Sequence, residues 1–122
     1  MRLTLILTIA TGCLLHAYTY AFKAEGGWSM FAAGLFAFSL TPYAASAILA
    51  RFWRAPSSAL GFAAGALIGD IFMHYSVFIA PKGSTAALGL LFMPVWNLFL
   101  LGPLGALIGW ACARAVIKRS GR

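Results

Sequence analysis

Four stretches of this chain, at about residues 3–22, 29–50, 59–80 and 86–113, are almost wholly apolar or small and nearly free of charge. A helix rises about 1.5 Å per residue, so about 20 such residues cross the ~30 Å hydrocarbon layer of a bilayer. Of the 122 residues, 62% are hydrophobic and 9% charged, whereas a soluble domain carries about 25% charged residues. A soluble fold would lack the polar surface it needs. The sequence therefore predicts an all-α membrane protein: one domain, residues 1–122, folded as a four-helix antiparallel transmembrane bundle.

The segments between the runs fit that reading. Residues 23–28 form a short turn. Residues 51–58 make a basic connector, with Ser57 or Ser58 placed to cap the following helix. Pro81 and Gly83 break the chain before the fourth span. Pro94 and Pro103 fall inside that long span and predict kinks. Residues 114–122 read as a basic, frayed tail. The net charge of +7 lies between the apolar runs and at the ends, where lipid headgroups would be. No basic stripe with interleaved aromatics is present, so nucleic acid is not expected as a partner.

Lys and Arg also set an orientation. Arg2, then Arg51 and Arg54, then Arg114, Lys118, Arg119 and Arg122 fall on one side, against Lys23 and Lys82 on the other. The positive-inside rule puts both termini in the cytoplasm, in the inner (plasma) membrane of a bacterium. Tyr18, Tyr20 and Trp28 would mark the outer interface, and Trp53 and Trp110 the inner one. The first span also has features of a secretory signal: Met1-Arg2, an apolar core and Thr19-Tyr20-Ala21. Its apolar run continues through Phe22, longer than a signal core, which favours a retained span.

Within the third span, Gly61, Gly65, Gly69, Phe72 and Ser76 share one helical face. The doubled small-xxx-small spacing lets two backbones approach closely. Leu98, Gly102, Gly105 and Gly109 share a face of the fourth span and are the expected partner. Gly65-Ala66-Leu67-Ile68-Gly69 recurs as Gly105-Ala106-Leu107-Ile108-Gly109, read as two similar packing surfaces. Opposite the glycines lie Asp70 and His74. Both faces need protein beside them, so the third span is either central or part of a subunit interface. A homo-oligomer, or a subunit of a membrane complex, is expected on this argument.

Asp70 is one of only two acidic residues, with Glu25. A charged group at the centre of a span costs ~2.5–3.5 kcal/mol on insertion scales and usually faces a protein interior or a wet cavity. His74 is one turn on and within reach. The pair has three readings: an interhelical tie, a proton or cation relay, or part of a metal site with His16. His16 and His74 come out at nearly the same depth on parallel spans, which also admits a b-type haem held by both histidines. Asn97, three residues after Pro94, and Tyr43, beside Pro42, are expected to line one polar pocket with Asp70 and His74. Cys13 and Cys112 lie at different depths and are not expected to pair.

Paired carboxylates, a Gly-rich phosphate loop, Cys-x-x-Cys and His-Glu-x-x-His are all missing from the sequence, and an enzyme is not expected. The leading functional expectation is ion- or proton-coupled transport, with Asp70 and His74 as the intramembrane site. The alternatives are a non-catalytic accessory or assembly subunit, a haem-bearing electron-transfer subunit and, on size and basic tail alone, a hole-forming protein.

Overall fold

The computed structural model describes residues 1–22, 29–80, 83 and 86–121. The turn read at residues 23–28, with Lys23, Glu25 and Trp28, lies outside the described residues, as do Pro81, Lys82 and Arg122. The described chain is all-helical, with four helices long and apolar enough to span a membrane: Arg2–Phe22, Met30–Phe52, Pro56–Ile79 and Leu88–Ser120. In detail these are α1 (Arg2–Phe22); α2 (Met30–Ser39) and α3 (Thr41–Phe52); α4 (Pro56–His74) with a π-helical turn Tyr75–Ile79; and α5 (Ala86–Trp96), a second π turn Asn97–Leu101, and α6 (Gly102–Ser120).

Side-chain contacts fix the helix directions. Along α1 and α4, Leu5 clusters with Ala59 and Ala63, His16 meets Asp70 and Thr19 meets His74, so these helices run parallel. Glycines set the antiparallel crossing of α4 and α6. A Cβ at Gly61 would strike the Gly105 carbonyl, and one at Gly109 would strike that of Ser57. Gly65 packs on the carbonyl of Leu101. Here the absence of a side chain permits backbone contact, as small residues do between membrane helices.

α4 is the centre of the bundle, packing on α6, α3 and α1. Its Asp70 face is covered within a single chain, and Gly61, Gly65 and Gly69 pack on the fourth span, while Phe72 on the same face is exposed. Most large apolar side chains point outward, among them Leu3, Leu14, Phe31, Phe72, Phe99 and Ile108.

Three local features differ from the sequence expectation, and a fourth, the distortion of the fourth span, takes a form the prolines alone do not specify. The second span is broken at Leu40, where Pro42 has no N–H for the Phe38 carbonyl one turn back. The Thr41 hydroxyl donates to that carbonyl instead, at 2.6 Å. α4 begins at Pro56 with Ala55 as its N-cap and no side-chain capping bond. Ser57 and Ser58 thus lie inside the first turn, because proline is itself suited to the first helical position. The proline-rich fourth span relaxes through a π turn, in which Gly102 N–H donates to Asn97 O. Finally, the tail is helical to Ser120. Its last-turn Lys118 and Arg119 suit a helix C-terminus, and Arg114 stacks on Trp110 at 4.2 Å.

Candidate functional site

Asp70 lies one turn before the end of α4 and is 1% exposed. Each of the other three spans reaches it with one polar side chain. From α1, His16 Nε2 lies 3.0 Å from Oδ2. From α3, the Tyr43 hydroxyl donates to Oδ2 at 2.6 Å. From the start of the π turn, Asn97 Nδ2 donates to Oδ1 at 2.7 Å. Tyr43 and Asn97 are, like Asp70, 1% exposed. A buried carboxylate is tolerated when its oxygens receive such donors.

Local structure aims each group. Pro42 opens α3, and the Tyr43 ring lies against Gly12, where a Cβ would collide with the ring and its hydroxyl. The Ser46 hydroxyl donates to the Tyr43 carbonyl at 2.9 Å. Asn97 follows Pro94 by three residues and begins the π turn, a distortion often found at functional sites. Gly69 gives its side chain room: a Cβ there would come 2.7 Å from Asn97 Oδ1. That oxygen is buried with no hydrogen-bond partner among the described residues.

His74 extends the cluster. Its Nδ1 lies 2.7 Å from the Asp70 carbonyl oxygen, and a carbonyl only accepts, so Nδ1 carries a proton. Its Nε2 lies 2.8 Å from Thr19 Oγ1, which also lies 2.9 Å from the Leu15 carbonyl. Thr19 has one hydroxyl proton and two acceptor directions to choose from. With neutral His74 the proton goes to Nε2. With His74 doubly protonated, Nε2–H donates to Thr19 and the hydroxyl turns to Leu15. A rotation of one hydroxyl thus accommodates either state. The 3.0 Å contact between His16 and Asp70 is likewise compatible with one proton on either partner.

The structure brings Asp70, His74, Asn97, Tyr43 and His16 into one cluster. Thr19 and Gly12 belong to it too, though neither was singled out from the sequence. Both lie near His16 in helical register, three residues after it and four before it, which is the signal that could have found them.

A metal does not fit. Among the described residues, no group of three or more His, Cys, Asp or Glu is arranged to hold an ion. A haem between the histidines does not fit either. An axial ligand offers its ring-nitrogen lone pair to the iron. Here the rings lie edge to face at 5.5 Å, His16 Nε2 faces Asp70, and both nitrogens of His74 have partners. Cys13 and Cys112 are free thiols.

Asp70, His16 and His74 also line a cavity of about 400 Å³. Thr19 and Ser39 add hydroxyls, while Leu35, Phe36, Phe78 and Leu90 supply apolar wall. The cavity lies on the side of Asp70 toward Phe22, Met30 and Ile79. On the other side Leu5, Tyr43, Ala59, Phe62, Ala63 and Ala66 are buried and pack the interior next to Asp70.

Comparison of the chain with protein-family models, with curated proteins and with solved structures finds no match.

Proposed function

We propose that this chain is a small membrane transport protein whose coupling group is the Asp70 carboxylate. Its four helices would cross the inner membrane with both termini cytoplasmic, which puts the cavity mouth on the outer side. One observation carries the reading. A carboxylate 1% exposed, bonded to all three other spans, forms the floor of a one-sided cavity that both histidines line. Intramembrane Asp and His groups recur in pumps and transporters, where they mark ion pathways and proton relays.

In this reading His16 and His74 pass protons between the cavity and Asp70, with Thr19 turning its hydroxyl to follow His74. Tyr43 and Asn97 hold the carboxylate in place. Tyr43 also seals the side away from the cavity, so access from the cytoplasm requires it to leave its seat on Gly12. The apolar cavity wall suits a cation with an apolar body, such as a protonated amine, better than a hydrated inorganic ion. The site is assigned no bond-making chemistry.

The test is transport by purified protein in liposomes. A pH gradient should drive accumulation of a fluorescent lipophilic cation such as ethidium. Asp70→Asn should reduce the rate to that of protein-free liposomes. Wild-type rates in the Asp70→Asn protein would overturn the reading.

A second reading has its own support: every Asp70 oxygen already has a donor, as in a purely structural tie. The chain would then be an accessory or assembly subunit. An interhelical hydrogen bond in a membrane protein is worth on average ~0.6 kcal/mol, and at most ~1.7. That reading predicts lost stability in Asp70→Asn and no flux in the wild type.

A further inference from the structure

A second groove, of about 720 Å³, lies at the opposite end of the bundle from the Asp70 cavity, between the first turns of α1 and the end of α3. Its floor is apolar, formed by Leu5, Ile6, Ile9, Ala47 and Ala50, and its rim carries Arg2, Arg51 and Arg54. Three features make this more than a generic basic surface. First, the arginines come from two separate parts of the chain and converge on one groove. Second, Arg54 has φ 50°, the one positive φ at a non-glycine position among the described residues. A glycine would take that conformation without strain, yet an arginine stands there and lines the groove. Third, among the described residues no carboxylate answers these charges. The one ion pair among the described residues is His16–Asp70, and Asp70 is buried on another level of the bundle.

Three guanidinium groups around one groove repel each other until an anion lies between them. Guanidinium forks match phosphate oxygens, and the apolar floor below the charges matches glycerol and acyl chain. We propose that this groove binds one anionic phospholipid, its phosphate held by Arg2, Arg51 and Arg54 and its acyl chain laid along Leu5, Ile6 and Ile9. Basic pockets on the cytoplasmic side of membrane helices take such headgroups. The inference rests on the chain lying in a bilayer but not on transport.

Native mass spectrometry of protein released from detergent tests this, with phosphatidylglycerol, phosphatidylcholine or inorganic phosphate added. One phosphatidylglycerol should be retained per chain in preference to phosphatidylcholine, and occupancy should fall about fivefold for each arginine changed to glutamine. The tail variant Lys118→Gln with Arg119→Gln should retain the lipid. Equal retention of the two lipids, equal loss in the tail variant, or saturation by inorganic phosphate alone would overturn the proposal. Wild-type protein supplies a readout that needs no variant: phosphatidylglycerol, and not phosphatidylcholine, should raise its unfolding temperature. Carbonate extraction of the source membranes is run alongside. Release of the chain there would count against the membrane reading itself.

Discussion

Asp70 is held in the bundle by contacts from three other helical segments, and in a bilayer their worth can be set against the burial of its charge. A charge at mid-span costs ~2.5–3.5 kcal/mol on insertion scales. Three interhelical hydrogen bonds at the average of ~0.6 kcal/mol each would offset part of that cost, about 1.8 kcal/mol. Losing one donor should therefore be felt. Tyr43→Phe removes the 2.6 Å bond and should lower stability by about 1 kcal/mol, read from unfolding in mixed micelles. Gly12→Val should cost about as much or more, since the new side chain meets the Tyr43 ring and overpacking costs ~1–3 kcal/mol. Asp70, His74, Asn97, Tyr43 and His16 could all be named from the sequence, because polar groups are conspicuous in an apolar run. Their hydrogen-bond pairing could not. Equal depth suggested that His16 and His74 face one another as ligands, whereas His16 turns to Asp70 and His74 turns to Thr19. Gly12 shares a helical face with His16, but that it serves as a notch for the Tyr43 ring is a long-range contact that spacing does not specify.

Among the elements, the crossing of α4 and α6 depends on glycine contacts that a methyl group would end. Gly61→Leu or Gly105→Leu should destabilise the bundle by ~1–3 kcal/mol or more. Gly34→Leu makes the control, because nothing lies within 4 Å of a Cβ there, and its effect should stay within ~0.5 kcal/mol. Unfolding of the three variants in one detergent series checks both statements. The existence of four spans and the glycine seam were legible because hydropathy and a four-residue spacing carry them directly. The breaks were legible only in part. Pro94 and Pro103 announced a distortion of the fourth span, but π geometry is a choice of which carbonyl each N–H takes. Pro42 falls among Ser39, Thr41 and Tyr43, and the Thr41 hydroxyl that replaces the lost bond makes the interruption at Leu40 inexpensive.

Viewed as a whole, the bundle is asymmetric about Asp70, with a cavity on one side, buried packing on the other and an arginine-rimmed groove at that end. The proposed orientation predicts that, with Cys13 and Cys112 replaced by alanine, Ser120→Cys is labelled from the cytoplasmic side. Gly83→Cys should be labelled from the opposite side by the same impermeant reagent. The reverse pattern would turn the cavity toward the cytoplasm. The central claim is that Asp70 itself takes up and releases a proton in the folded protein. Infrared difference spectroscopy of the carboxyl stretch tests it directly. With only two acidic side chains in the sequence, the assignment needs one variant, Asp70→Asn. A protonated-carboxyl band should appear on acidification of the folded protein, be displaced by an added lipophilic cation and be missing in Asp70→Asn. A spectrum that titrates identically in both proteins would contradict the claim.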